Sequence, residues 1–498
     1  MTKTRDGRAI LADLRGKAAP TDEYEKGFTD YGNAERLVER HGGDVRYCRE
    51  RKAWYVWDER RWAPDIDGEI DRRAKDTVRH IYHEAGDEDD AARRKATAKW
   101  ARASESARRL ADMVKIATTE KLIVVAPAEL DADPWLFGCL NGVLDLDAGK
   151  VLPFDRKYLI TKVAPVEYDP DATFELWDTY LETAMDGDAE LIGFLRRYAG
   201  CSLTALPADD DRFVFCHGPP GGGKSTFAEA IRATFGTYAR AANFDTIVTH
   251  YNPGSPRGDI ARLHDARLVT MVEIPDEKRL DETLLAQLTG GDTITSCFKY
   301  QNEFEYEPKF KLWVFGNNEP TIKSGDSPIW RRLLKVPFTN VIPEADRDGS
   351  VKATLRRDPR AHAAILAWAV RGCVEWQERG LDPPERVTSA TATYRATQNE
   401  LAEFIENCCI VGAEHHIDRD ALYREYVAWA ESLRLPLRDR LPLKTFTRRI
   451  NADDRFEKKI GSYNKATIYG IALVDNTHPE LDGLDKRTAD DGAEAVVF

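Results

Sequence analysis

The chain has 498 residues, enough for roughly three domains of ordinary size, and 42% of them are apolar, which is enough to build real cores. With 72 Lys and Arg against 85 Asp and Glu the net charge is −13, which excludes a uniformly basic nucleic-acid coat but not a local basic groove. The eight cysteines lack paired spacing, and no apolar run approaches a membrane span; reduced thiols, a cytoplasmic location and no membrane partner are expected.

Residues 1–27 are polar, carry no apolar h-region, and are expected to be disordered. Phe28–His41 reads as a helix, and Val45–Cys48 and Trp54–Trp57 as two strands of a small tryptophan-packed sheet. From Glu69 to about Thr119 the pattern is helical and charged. Its run of Arg93, Arg94, Lys95, Lys99, Arg102, Arg108 and Arg109 reads first as a solvated face, with a nucleic-acid contact as the alternative. Asn141-Gly142 marks a turn entering a strand, Tyr158–Val163 reads as another strand, and helices follow around Trp177–Thr183 and Glu190–Ala199.

Arg212–His217 is a short apolar run, read as a buried strand, and it opens directly into Gly218-Pro219-Pro220-Gly221-Gly222-Gly223-Lys224-Ser225-Thr226. This fits G-x-x-x-x-G-K-[ST], the P-loop. Phe227, Ile231 and Phe235 then fall on one helical face. Glycines let successive backbone N–H groups point at phosphate oxygens, and the helix N-terminus adds its partial positive charge. ATP with Mg²⁺ is the expected cofactor: Lys224 would meet the β/γ-phosphates and Ser225 the metal.

Arg267–Glu273 reads as an apolar strand ending in a carboxylate, where hydrolysis needs an acid to fix Mg²⁺ and orient the attacking water. Glu273 is the candidate, with Asp276 and Glu277 as possible second acids. Leu288–Tyr300 followed by Phe304–Tyr306 reads as a hairpin whose tip carries Phe298, Lys299 and Tyr300, a cation between aromatics suited to gripping single-stranded DNA; a subunit contact is the alternative. Phe310–Asn317 is a second apolar strand whose terminal amide, Asn317, can polarise the water or sense the γ-phosphate. Arg331 and Arg332 precede a further strand, and one of them could serve a neighbouring subunit's nucleotide as an arginine finger.

Beyond this core, Pro359–Arg379 and Ala390–Asn407 read as helices. Helices over Arg419–Ser432 and Leu443–Ile450, then a strand pair at Phe456–Lys459 and Ala466–Ala472, suggest a winged helix-turn-helix. Residues 436–470 hold nine Lys and Arg against four acids, with Lys444, Arg448 and Arg449 the candidate DNA contacts. The tail after Val474 is acidic and expected to be disordered. Cys408-Cys409 and His415-His416 lack zinc-ligand spacing and read as thiols buried at a helix end.

Taken in order, these motifs resemble the superfamily 3 helicases, in particular the phage and plasmid primase–helicases with their poxvirus-type relatives. The matching residues are Gly218–Thr226, Arg267–Glu273, Gln287–Thr295, Lys311-Leu312-Trp313 with Asn317 and Pro320, and Ile329–Arg332. The likeness extends to Asn141–Val143, Tyr168–Ala172 and Ala392–Arg395, so that it covers about 28–475. It implies an α/β protein with an AAA+-like P-loop ATPase core, an α+β N-terminal region and the C-terminal winged helix. It further implies a ring-shaped homo-oligomer, a hexamer, moving 3′ to 5′ on single-stranded and forked DNA. In the same terms Glu273 is the Walker B acid, Asn317 the sensor, Arg331 or Arg332 the finger and Lys299 the pore-hairpin residue.

The expected domains are 28–200, an ATPase core at 201–345, a helical region at 346–412, and the winged helix at 413–474. Only about 27 residues precede the matched region, so no primase activity is expected, and a separate primase or other replication protein is an expected partner. Gly316-Asn317 stands where the family pattern has Thr-Asn. A replication initiator that recognises an origin, with ATP controlling assembly, is the competing function.

Overall fold

The computed structural model describes residues 27–248, 257–274, 278–297, 303–322, 327–344, 348–435, 437, 440–453, 455–460 and 466–474. The chain forms two compact units. One is the described part of Met1–Asp133 with Pro153–Val163; the other is Pro134–Leu152 with the described part of Ala164–Phe498.

In the first unit, α1 (Asp30–His41) is capped by Thr29, whose hydroxyl accepts from Gly32 N. A three-stranded antiparallel sheet follows, of β1 (Val45–Cys48), β2 (Ala53–Trp57) and β3 (Trp62–Pro64), and then α2 (Glu69–Asp87), α3 (Ala91–Ser104) and α4 (Ala107–Ala117). Leu37, Val45, Ile70, Val78 and Met113 close its core. Within the basic run, Arg109 lies over Trp100, its carbon 4.2 Å from the ring centroid, and Arg93 pairs with Glu88 at 2.7 Å, as a solvated charged face would. Tyr158–Val163 is not a strand. Arg156–Tyr158 forms a single tight turn and Leu159 adopts φ +48°, which breaks the pleat.

The second unit opens with a hairpin meander, β4 (Leu136–Cys139), β5 (Gly142–Asp145) and β6 (Lys150–Leu152), followed by α5 (Glu175–Met185) and α6 (Ala189–Leu203). Phe137, Leu144, Trp177 and Phe194 belong to the same core as Val214 and Phe227. The expected boundary at residue 200 therefore falls inside α6, whose apolar face packs into the core it was expected to precede.

The centre is a five-stranded parallel sheet of β7 (Phe213–His217), β8 (Ala239–Ala242), β9 (Leu268–Val272), β12 (Lys311–Gly316) and β13 (Leu333–Pro337), in the spatial order β13-β7-β12-β9-β8. Between these strands run α7 (Lys224–Phe235), the short α8 (Gly258–Ala261), α9 (Glu282–Gly290) and the antiparallel pair β10 (Ile294–Ser296) and β11 (Phe304–Tyr306). The central strand β12 is buried end to end and its neighbours β7 and β9 nearly so, because both faces are covered, whereas the edge strand β8 is largely open. Val214, Cys216, Trp313 and Phe315 face one core, and Phe213, Phe215, Leu312 and Val314 face the other, the strict period of two. Aromatic rings dominate the first core: Phe227 lies 5.8 Å from Trp177 and 5.5 Å from Trp313. Each such ring removes roughly 150–250 Å² from water.

At the rear, amino-terminal edge of the sheet two buried cations close the end of α6. Arg267 donates to Leu203 O (2.6 Å) and Leu136 O (2.8 Å), and Lys311 Nζ donates to Thr204 O (2.8 Å). A helix C-terminus presents orphan carbonyls and partial negative charge, so cations belong there. These two residues of the resemblance motifs thus anchor the sheet rather than line its carboxyl-terminal edge.

After the sheet come α10 (Gly349–Arg357), α11 (Pro359–Arg379) and α12 (Glu385–Cys408), the last longer than its sequence pattern suggests. A C-terminal module follows: β14 (Cys409–Asp418), α13 (Arg419–Ser432), α14 (Leu443–Asn451), β15 (Glu457–Ile460) and β16 (Ala466–Leu473), with the sheet order β14-β16-β15. Its core centres on Phe404, Tyr426, Phe446, Ile450 and Ile468. The two helices and the strand pair match the expected order; β14 is an addition. Among the described residues no helix is long and apolar enough to cross a membrane.

Candidate nucleotide site and nucleic-acid surfaces

β7 delivers the chain to Gly218, and α7 begins at Lys224 with Gly223 as its N-cap. Two of the loop glycines hold φ values that disfavour other residues, +88° at Gly221 and +86° at Gly223. Gly218 is required by space: a Cβ there would stand 1.9 Å from Phe338 O. The lysine ammonium donates to Gly218 O (2.7 Å) and Pro219 O (2.8 Å), and burial lowers its pKa. From α5, the Tyr180 hydroxyl donates to Gly223 O at 2.9 Å, holding the loop's far end; Ser225 is exposed and Thr226 partly exposed on the first turn of α7.

Strand register brings the other stations level with this loop. Val272 pairs with Phe315, and Gly316 pairs with His217. Glu273, Gly316 and His217 therefore end three neighbouring strands at one height, and Asn317 lies level with Gly218. Ligands of open parallel sheets sit beyond these carboxyl ends. Both Glu273 and Asn317 are exposed there. Glu273 has φ +70°, a conformation that costs a non-glycine residue about 1–3 kcal/mol. Asp276 and Glu277 lie outside the described residues.

At Gly316 a Cβ would come within 2.3 Å of the Ile274 side chain, so the glycine lets the two pack closely. Asn318 Nδ2 donates to Ile274 O (3.2 Å), and Glu319 pairs with Lys335 at 2.5 Å. Burial tends to raise the Glu319 pKa, but Lys335, His217 and Arg449 together hold it below the ordinary value. Burial first, then Lys335, pushes His217 down to about 4, so its ring is neutral at pH 7.

The two adjacent arginines part company. Arg332 is buried, donates to Ala286 O (2.9 Å) and Thr289 Oγ1 (3.0 Å), and pairs with Asp211 at 3.2 Å. It is a structural arginine, and the expectation that it could reach a neighbour's nucleotide is corrected by its burial. Arg331 is exposed and lines a cleft of about 580 Å³ with Arg212, Trp330 and Arg395. The Ala392–Arg395 motif supplies this wall, and Tyr394 packs edge-on against Trp330 at 5.0 Å.

Of the hairpin, β10 and β11 pair Ile294 with Tyr306, and the base is held by Tyr306 Oη donating to Ile260 O (2.9 Å) and Ser296 Oγ donating to Arg257 O (2.9 Å). Phe298, Lys299 and Tyr300 lie outside the described residues. In the C-terminal module Lys444 is exposed, whereas Arg448 donates to Asn318 Oδ1 at 3.4 Å. Arg449 has a side chain only 3% exposed and pairs with Glu319 at 3.3 Å, so it faces inward and is corrected as a DNA contact. The signal was its place three residues after Phe446, on the core side of α14.

Residues that motif reading did not assign are Tyr180, His217, Glu319 and Arg212. Only Tyr180 leaves a trace, as an aromatic on a helix face; the others acquire meaning from strand ends that meet in space.

Residues 34–186 match a family described as D5 N terminal like, and residues 216–332 match a family of unknown function, DUF5906. The chain is 25% identical over 297 residues to "Putative helicase L207/L206" of Acanthamoeba polyphaga mimivirus, a match covering 55% of this chain and 30% of that protein. It is 26% identical over 258 residues to "Putative helicase 022R" of Frog virus 3 (isolate Goorha), covering 48% and 26% respectively. The chain thus spans less than a third of the length of these two relatives. Among solved structures, the apo C-terminal region of NrS-1 is 11% identical with a TM-score of 0.45, over 88% of this chain and 98% of that one.

Proposed function

We propose, for a chain that belongs to the D5-like helicase family, that hydrolysis of ATP at Gly218–Thr226 drives the separation of DNA strands. One observation carries the reading: the register that sets Glu273 and Asn317 at the same sheet edge as the glycine loop and Lys224. The cradle that a Cβ would fill at Gly218, and the exposed Ser225 and Glu273 beside it, fit a triphosphate with Mg²⁺.

Bound ATP with its metal supplies the transferable phosphoryl group. The chain's part is to hold and orient it. Loop N–H groups and Lys224 would grip phosphate oxygens, Ser225 and Glu273 would hold the metal, and Glu273 with Asn317 would orient the attacking water. Arg331, exposed on the sheet's edge strand side, would stabilise transition-state charge at the site of a second copy in a ring, taken as a hexamer moving 3′ to 5′. Phe298, Lys299 and Tyr300 would grip the single strand, and Lys444 the duplex at the fork.

The test is ATP turnover and strand displacement on forked DNA. Lys224→Ala should cut both by about 100-fold or more while leaving the chain folded, with a lowered melting temperature because Gly218 O and Pro219 O lose their charged donor. Lys299→Ala should keep basal ATPase and lose unwinding. A Lys224→Ala chain that turns over ATP normally would refute the site. A wild-type chain that opens only origin-bearing duplex would favour the initiator reading.

A further inference from the structure

The loop that carries Asn317 enters a second set of contacts as soon as it leaves the nucleotide edge. Asn318 joins Ile274 O, one residue past Glu273, to Arg448 of α14. Glu319 accepts from Lys335 on β13 and pairs with Arg449 of α14, and His217, directly before Gly218, lies close enough to feel the same carboxylate. From α12, the Tyr394 hydroxyl donates to Pro320 O, Gln398 Oε1 accepts from Ile322 N (3.2 Å), and Thr397 holds Arg449 through its carbonyl and, at 3.2 Å, its hydroxyl. The helix that presents Lys444 to solvent is thus fastened to the strand ends that present Glu273 and Asn317.

The fastening is stiff. Separating Arg449 from Glu319 would leave a nearly fully buried guanidinium without its counter-charge, which is strongly unfavourable. The loop and α14 therefore move together or not at all. We propose that Glu319 is a positioning residue that couples the two sites, so that DNA on the C-terminal module and nucleotide at Gly218–Thr226 each alter the other's affinity. This rests on the function proposed above and adds the route of communication. Reciprocity is required: whatever factor DNA imposes on nucleotide binding, nucleotide imposes on DNA binding.

The experiment measures nucleotide affinity with and without saturating forked DNA, and DNA affinity with and without a non-hydrolysable ATP analogue. In the wild type both ratios should be equal and about fivefold or larger. Glu319→Gln keeps size and an acceptor for Lys335; it should leave each affinity measured alone within about threefold while bringing both ratios close to one. Unchanged ratios in that variant would overturn the inference. Should the variant fail to fold, hydrogen exchange on the wild type decides. DNA should slow exchange at residues 317–322, the analogue should slow it at 443–451, and silence of either segment overturns the coupling. A wild-type chain that binds neither ATP nor DNA would remove the proposed function itself, and this inference with it.

Discussion

Arg332 and Asp211 form a 3.2 Å ion pair, and that pair separates two neighbouring arginines into different tasks. Arg332→Ala should lower unfolding free energy by about 1.5–3 kcal/mol in denaturant titration, because Asp211, Ala286 O and Thr289 lose a charged partner. Arg331→Ala should leave stability unchanged and reduce turnover about 10³-fold or more. Mixing Arg331→Ala with Lys224→Ala chains should restore part of the ATPase, since each supplies what the other lacks. Identical behaviour of the two arginine variants would refute the division.

Tyr180 holds the Gly218–Gly223 loop through its hydroxyl. Tyr180→Phe keeps the ring stacked on Trp177, 5.5 Å away, and removes only the bond to Gly223 O. The expected loss is about 1 kcal/mol, read by calorimetry as roughly fivefold weaker nucleotide binding with unchanged helix content. No change in affinity would mean that the Tyr180 hydroxyl does not shape the loop for nucleotide.

Acid should loosen the nucleotide edge before it unfolds the carboxylates. His217 is held neutral, with its pKa pushed down to about 4 from an ordinary value of 6.5. The native state binds that proton less readily than the unfolded chain. The contribution is therefore complete above about pH 6.5, declines as pH falls, and is exhausted near pH 4. Glu319, held below its ordinary value, adds a loss only at the acid end of that window. Thermal melts of His217→Gln should show a shallower slope than wild type between pH 6.5 and 4.5. Parallel slopes would contradict the assignment.

Much of this is readable from residue order. Gly218–Thr226 announces its loop because the glycines and Lys224 are adjacent in sequence, and the buried strands are visible as unbroken apolar runs. The domain boundary is not, because α6 owes its place to carbonyls capped by Arg267 and Lys311, residues more than sixty positions away. Arg449 looks like surface charge by composition, and only its contact with Glu319 shows otherwise. Leu159 gives no sign of its positive φ, so the sequence suggests a strand where the chain turns.

The α14 cations offer a matching contrast. Lys444→Ala should weaken duplex binding and reduce its salt slope by about 0.9 for each phosphate the side chain no longer neutralises, with no change in melting temperature. Arg449→Ala should destabilise the module while the salt slope of whatever folded protein remains is unchanged. A reversed pattern, in filter binding across a salt series, would place Arg449 at the DNA after all.

The steric fit of Gly316 against Ile274 also limits how this sequence can drift. A threonine at 316 would give the Thr-Asn pair of the family pattern, but its Cβ would stand 2.3 Å from Ile274 Cδ1, so the isoleucine must move to admit it. Shrinking Ile274 first opens a cavity, at about 2–5 kcal/mol for truncation to alanine. The two positions form a one-way gate: the passable order is the small residue at 274 and then the threonine, and Gly316→Thr alone should fold poorly unless Ile274→Ala accompanies it. The glycine at 316 is therefore held in place by Ile274, two residues beyond the end of β9, through space alone.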